Sequence, residues 1–104
     1  MGPRAALAGS IAYGNGDWST ALRLLRPLAD KGLCLAQSNL GTMYKLGWGV
    51  PQDYVMAHMW FNLSAPQGCI LSDHSASERD ALGSRMTREQ IAEAQKLARD
   101  WKPK

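Results

Sequence analysis

The chain repeats one pattern of residues after a shift of 36 positions. DWSTALRLLRPLADKG (17–32) and DYVMAHMWFNLSAPQG (53–68) share four identities, which pair Asp17 with Asp53, Ala21 with Ala57, Ala29 with Ala65 and Gly32 with Gly68. A repeat of this length is typical of proteins in which each unit is one supersecondary element stacked on the next. The repeat therefore limits the chain to architectures built from similar, consecutive units.

Both repeated segments have the apolar spacing of a helix. Positions 21, 24, 25 and 28 lie on one helical face, as do positions 57, 60 and 61. The aspartates at 17 and 53 are suited to cap a helix N-terminus, and the glycines at 32 and 68 can adopt the left-handed conformation that ends a helix. The pattern predicts one amphipathic helix in each segment.

A second helix is expected before each of these segments. Residues 4–13 (RAALAGSIAY) and 35–47 (LAQSNLGTMYKLG) carry small and apolar side chains at helical spacing. Ser10 and Gly41 stand where two crossing helices would need small side chains. Each unit is therefore predicted to be a helix, a turn and a second helix.

The C-terminal third predicts two further helices. Thr87 and Gln90 form the sequence pattern of a capping box ahead of an apolar stripe, and a weaker helix is expected over 70–84. Two prolines predict irregularities. Pro27 is expected to kink the second helix, and Pro66 to end the fourth helix a turn early.

The middle of the chain carries a set of residues spaced over two helices and the turn between them. They are Ala36, Leu40, Gly41, Tyr44, Gly47, Gly49, Val50, Asp53, Ala57, Trp60, Phe61, Ala65 and Gly68. This pattern resembles the Sel-one-like repeat family (SLR), whose unit is related to the tetratricopeptide repeat. Residues 17–32 resemble the second half of a preceding unit, and the resemblance stops after Gly68.

The resemblance implies an all-α fold: a right-handed helix-turn-helix repeat stack, or short α-solenoid with a tetratricopeptide-like superhelix, of about six helices. We expect a single domain over 1–104, with a truncated first unit at 4–32 and a full unit at 33–68. A pair of capping helices is expected at 70–101, because the terminal units of repeat stacks are usually atypical.

The stretch LGWGVPQDY (46–54) is interpreted as a turn between helices and not as a phosphate-binding loop. A phosphate-binding glycine loop follows a buried strand, and a Walker loop also needs a Gly-Lys-Ser/Thr ending; neither occurs here. Gly47 and Gly49 can adopt the positive φ angles of a tight reversal, and Pro51 restricts the approach to the next helix.

No catalytic or metal-binding constellation is expected. The run SDHS (72–75) is interpreted as a polar helix start, because the members of a catalytic triad come from distant segments. The potential metal ligands Cys34, His58, Cys69 and His74 lack the short spacings of zinc sites. We therefore expect no catalytic residue, no cofactor and no bound metal.

Two states are open for the cysteines. Cys34 and Cys69 are too far apart in sequence for a CxxC pair, and a disulfide between them remains possible in principle. Buried or half-buried free thiols are the favoured expectation. A thiol-based enzyme or sensor using either cysteine is the least favoured of the three functions considered.

Charge and hydropathy narrow the range of partners. The 12 basic and 9 acidic residues give a net charge of +3 and are dispersed, without a basic stripe interleaved with aromatics, so nucleic-acid binding is not expected. No apolar run is long enough for membrane insertion, and the N-terminal apolar segment is too weak for a signal peptide. A cytoplasmic location is the default expectation, with a periplasmic or secreted location open if a leader precedes this chain.

A partner-binding surface is expected on the first helix of each pair, as in other helix-pair stacks. With the core on one side, the opposite face of the third helix would carry Ser38, Thr42 and Lys45, and the corresponding positions of the first helix are 7, 11 and 14. Trp48, in the turn, is expected to pack on the neighbouring unit; a surface anchor for a partner is the alternative.

The resemblance implies a non-enzymatic protein–protein interaction module, with adaptor or scaffold roles often found in bacterial signalling or envelope biology. The partner would be a protein or peptide that the sequence does not name. The alternative is a small helical protein that forms a homodimer through the exposed end of its stack.

Overall fold

The computed structural model describes residues 3–104, which form six α-helices. Their bounds are α1 Pro3–Gly14, α2 Trp18–Asp30, α3 Cys34–Leu46, α4 Tyr54–Ser64, α5 Ser72–Gly83 and α6 Arg88–Asp100, with a 3₁₀ turn at Ala65–Gln67. The all-α class and the number of helices predicted from the sequence are confirmed. Within this described part there is no β-strand, and no helix is long and apolar enough to cross a bilayer.

Side-chain caps define where three of the helices begin. The carboxylates of Asp17 and Asp53 each accept a hydrogen bond from the backbone N–H three residues later, at 3.3 and 3.1 Å. At α6 the predicted capping box is complete: Gln90 N donates to Thr87 Oγ1 at 3.1 Å, and Thr87 N donates to Gln90 Oε1 at 2.9 Å. Each cap satisfies an otherwise unpaired backbone N–H and contributes about 1 kcal/mol.

Glycines in the left-handed conformation end three helical segments. Gly32, Gly47 and Gly68 have φ angles of 103°, 72° and 75°. In the α3–α4 turn a second glycine, Gly49, has a φ angle of 77°. The predicted reversal at this turn is therefore confirmed, and it follows a helix.

The two prolines have different effects. Pro66 lies in the 3₁₀ turn, so regular α-helix ends before it, as predicted. Pro27 lies inside α2, which continues through it to its end at Asp30. The lost backbone donor at Pro27 does not interrupt the helix, because the residues around it are buried against α1 and α3.

Consecutive helices from α1 to α5 pack on one another, and two connected clusters form the core. The larger cluster joins α1 to α4 and contains Leu25 and Leu40. The second joins α4, α5 and α6 around Phe61 and Leu82, and Tyr44 packs against both clusters. Burial of each large apolar side chain contributes about 1.5–3 kcal/mol.

Glycine permits two close contacts between helices. A Cβ on Gly41 would lie 2.7 Å from Phe61 Cε1, and a Cβ on Gly9 would lie 2.6 Å from Leu25 Cδ2. The prediction for Gly41 is confirmed. The prediction that Ser10 fills this role in the first unit is wrong: Ser10 is exposed, because the shorter turn after α1 is accompanied by a one-residue shift in register.

The two helices expected to cap the stack both pack on α4 rather than mainly on each other. The chain after α6 then returns to the α2–α3 turn. There Lys104 N donates to Asp30 O at 2.8 Å, and Trp101 lies against Gly32. The C-terminal segment therefore connects the second core cluster back to the first unit.

Candidate partner-binding face

Side chains from α1, α3 and α5 meet on one surface beside the α3–α4 turn. Lys45 Nζ in α3 lies 2.6 Å from Glu78 Oε2 in α5. Thr42, one turn before Lys45, lies beside the phenol of Tyr13 of α1, and this phenol is also within the electrostatic reach of Glu78. We call these four residues, together with Trp48 of the turn, the odd-helix face.

The Lys45–Glu78 ion pair joins α3 to α5 at the solvent-facing side of their contact. The side chains are 28% and 25% exposed, so solvent screens the pair and it contributes at most about 1 kcal/mol to stability. Its larger effect is electrostatic. Because each charge is partly neutralised by the other, a partner meets a local dipole at this point and not an isolated cation.

The Tyr13 phenol is half-buried in this surface. Burial raises the pKa of Tyr13 above its ordinary value of 10.0, the neighbouring Thr42 hydroxyl acts in the opposite direction, and the negative charge of Glu78 raises the pKa further. Tyr13 therefore remains protonated at neutral pH, and its hydroxyl can donate or accept a hydrogen bond.

Trp48 is stacked on Trp18, the first residue of α2. The ring centroids are 4.4 Å apart with an interplanar angle of 15°, and Tyr13 meets both rings edge-on at 5.4 and 6.4 Å. The turn can approach this closely because a Cβ on Gly49 would lie 2.9 Å from Trp18 Cβ. Trp48 therefore packs on the neighbouring unit, as expected from the sequence. All three rings remain partly exposed.

Ser38 does not lie on the odd-helix face. Its side chain is 1% exposed, and its Oγ lies 3.0 Å from Ser75 Oγ, which in turn lies 2.9 Å from Ser64 Oγ. The expectation that Ser38 shares a solvent-facing surface with Thr42 and Lys45 fails because α5 packs over this part of α3. Ser38 is therefore left out of the candidate site.

Cys34 and Cys69 form a disulfide, with Cα atoms 6.4 Å apart. The favoured expectation of free thiols is wrong. The bridge joins the start of α3 to the segment that follows α4, within reach of the buried hydroxyls of Ser64 and Ser72. In this state neither sulfur is a thiolate, so nucleophilic chemistry at these residues would first require reduction.

The polar run 72–75 is the start of α5, as predicted. Cys69 N donates to Ser72 Oγ at 2.9 Å, and this hydroxyl donates to Ser64 O at 3.1 Å, while His74 meets the Phe61 ring edge-on at 6.3 Å. Ser72 therefore completes a turn. Among residues 3–104, no three His, Cys, Asp or Glu side chains come together as a metal site.

Two members of the odd-helix face could not be found from the sequence. The sequence places the solvent-facing positions of the first helix at 7, 11 and 14, which omits Tyr13, and Glu78 belongs to the weaker helix expected over 70–84. Both reach the face through contacts between residues more than 25 positions apart in the chain. The repeat offered a signal for Tyr13, since pairing Gly9 with Gly41 places Tyr13 at the position of Lys45.

Comparison with protein-family models, curated proteins and solved structures gives no match to this chain.

Proposed function

We propose that this chain is a short α-solenoid of the Sel-one-like, tetratricopeptide-like type that binds a protein or peptide on the odd-helix face. In such a stack, the first helix of every pair contributes to one continuous binding surface. The sequential packing of the helices and the repeated sequence pattern support this arrangement. The proposed role is that of a non-enzymatic adaptor or scaffold.

The observation that carries the proposal is the meeting of Tyr13, Thr42 and Glu78 from three alternate helices. A hydroxyl-rich, charge-balanced surface next to three partly exposed aromatic rings combines hydrogen-bonding groups with rigid apolar contact area. Aromatic side chains are enriched where proteins bind one another, because they bury large areas and lose little conformational freedom.

The proposal can be tested by comparing Lys45→Glu with Arg88→Glu in affinity capture from the source cells. Both substitutions change the net charge by the same amount, and Arg88 lies on α6, outside the odd-helix face. The wild type and the Arg88 variant should capture the same partner, whereas the Lys45 variant should lose it, because two carboxylates would then face each other across α3 and α5. Equal capture by both variants would contradict the proposal.

Self-association is the second candidate function. Leu7 and Ile11 of α1 are 63% and 53% exposed, on the side of the helix opposite the buried Gly9 and Ala12. Two adjacent apolar side chains on an end helix would suit a dimer contact. Light scattering should then detect a dimer whose population rises with protein concentration. The double variant Leu7→Ser with Ile11→Ser should abolish the dimer, whereas the control variant Ser10→Ala should retain it.

We also propose that the chain functions in an oxidising compartment, in place of the cytoplasmic default. The Cys34–Cys69 bridge supports this, because structural disulfides persist in secreted and periplasmic proteins and are rare in the cytosol. Alkylation of free thiols in intact source cells should leave both cysteines unmodified until a reductant is added. Full modification without reductant would contradict this proposal.

A further inference from the structure

A polar cleft of about 440 Å³ lies between α4, α5 and α6. Its polar side chains are His58 and Asn62 of α4, Arg79 and Asp80 of α5, and Gln95 of α6. None of them belongs to the odd-helix face, so the cleft needs a separate explanation.

His58 is the most buried polar side chain in the wall of this cleft. It is 4% exposed, and its Nδ1 has no hydrogen-bond partner. A buried polar atom without a partner costs about 1–3 kcal/mol, so such atoms are rare in native proteins and need an explanation. The cost is smallest when the enclosed Nδ1 carries the ring lone pair and the ring proton lies on Nε2, which is not enclosed, so a ligand in the cleft meets the Nε2–H donor.

Arg79 provides a second group with free hydrogen-bonding capacity. Its Nε donates to Asp80 Oδ1 at 3.2 Å, and its Nη1 approaches Asn62 Oδ1 at 3.5 Å. Among the described residues, the Nη2 hydrogens have no acceptor. The two contacts fix the plane of the guanidinium in the cleft wall, and its remaining N–H groups can form the paired hydrogen bonds that suit a planar carboxylate.

The charges of the cleft disfavour a ligand with two negative charges. Burial lowers the pKa of His58, the positive charge of Arg79 lowers it further, and Asp80 acts in the opposite direction. The imidazole is therefore neutral at pH 7, and Arg79 and Asp80 balance one another. A dianion such as phosphate would be repelled by Asp80 without a second cation to compensate.

We propose that this cleft binds a carboxylate group, which accepts hydrogen bonds from the Arg79 guanidinium and the His58 imidazole. The Asn62 and Gln95 amides then contact the remainder of the ligand. The carboxylate can belong to a small free acid or to the C-terminus of a peptide, and both sources present the same group to Arg79.

The test is an NMR titration that observes the two histidines, the only two in the chain. Sodium acetate is added to the full-length protein, with sodium chloride at equal ionic strength as the control. The His58 ring signals should shift and saturate with acetate alone. His74, which faces Phe61 outside the cleft, should not shift.

Two peptide arms distinguish the sources of the carboxylate. If trialanine with a free C-terminus binds more tightly than acetate and trialanine amide does not bind, the carboxylate is that of a peptide C-terminus. Acetate binding with no gain from trialanine identifies a small acid. Either result supports the proposal, whereas inorganic phosphate binding more tightly than every carboxylate would overturn it.

Bound acetate should also raise the pH at which His58 titrates, because the anion stabilises the imidazolium. The charged groups that face His58 are Arg79 and Asp80 of α5, and α6 contributes only uncharged side chains to the cleft. If acetate left the pH at which His58 titrates unchanged, this result would contradict the proposed hydrogen bond.

Arg79→Gln should weaken acetate binding by about tenfold or more, the usual loss when a hydrogen bond to a charged group is removed. Arg85→Gln is the matched control, because Arg85 is also on the α5 side of the molecule and contacts Tyr54 outside the cleft. It should change the affinity by less than about twofold. Equal effects of the two variants, with both folded by circular dichroism, would overturn the proposal.

Discussion

Gly41 of α3 lies so close to the ring of Phe61 in α4 that a Cβ at position 41 would stand 2.7 Å from Cε1 of that ring. The ring is fully buried and joins α3 to the cluster shared by α4, α5 and α6. It cannot shift without disturbing both neighbouring helices. This glycine therefore sets the distance between α3 and α4.

We predict that Gly41→Ala lowers the free energy of unfolding. Overpacking a core costs about 1–3 kcal/mol, and the better helix propensity of alanine offsets about 1 kcal/mol of this. Gly14→Ala is the matched control, because no atom lies within 4 Å of the added Cβ, and it should be neutral or stabilising. Urea unfolding followed by circular dichroism measures both. A Gly41 variant as stable as the wild type would show that the contact is not restrictive.

The helices and their ends were predictable because their signals are local. Asp17, Asp53 and Thr87 each cap a helix through a backbone N–H only three residues away, and the glycine stops depend on single residues. Gly41 was predictable because the repeat places it where two helices cross. These features need no knowledge of how distant parts of the chain meet.

The composition of the odd-helix face was less predictable. The burial of Ser38 depends on Ser75, which lies 37 residues later, and the neutralisation of Lys45 depends on Glu78, which lies 33 residues later. Neither partner carries a sequence signal of its own. Helical periodicity predicts that Thr42 and Lys45 lie on one face of α3. It does not predict which helix packs beside that face.

The Trp18–Trp48 stack should stabilise the α3–α4 turn against α2. Aromatic pairs contribute about 0.5–1.5 kcal/mol beyond their buried area, so a double-mutant cycle of Trp18→Ala and Trp48→Ala should give a coupling energy in this range. Urea unfolding of the wild type, both single variants and the double variant supplies the cycle. Strictly additive losses would show that the rings are packed independently.

The Cys34–Cys69 disulfide should contribute roughly 4 kcal/mol, because it closes a loop with a sequence separation of 35 residues in the unfolded chain. A phosphine reductant should lower the urea midpoint of the wild-type protein. The double variant Cys34→Ala with Cys69→Ala is the control, since the reductant should leave its midpoint unchanged. A wild-type midpoint that does not respond to reduction would contradict a stabilising bridge.

Stability should fall as the pH is lowered from about 7.5 to about 5.5. Burial and the nearby Arg79 lower the pKa of His58 in the folded protein below its ordinary value of 6.5. Above 6.5 both states are neutral. As the pH falls below 6.5, the unfolded chain binds a proton that the folded chain does not, and stability is lost until the folded pKa is reached.

The histidine responsible can be identified by substitution. His58→Gln should remove this part of the pH dependence, whereas His74→Gln should retain it, because that variant leaves both His58 and Arg79 in place. Urea midpoints at the two pH values measure the effect. Equal pH dependence in the wild type and the His58 variant would show that another group is responsible.

The central claim, that a partner binds the odd-helix face, is tested most directly by site-specific photocrosslinking in the source cells. A benzophenone amino acid replaces Thr42 on the face or, as the control, Ala92 on the exposed side of α6. Irradiation of the position 42 variant should give a specific heavier product that the position 92 variant does not give. No product from position 42, or the same product from both positions, would contradict the claim.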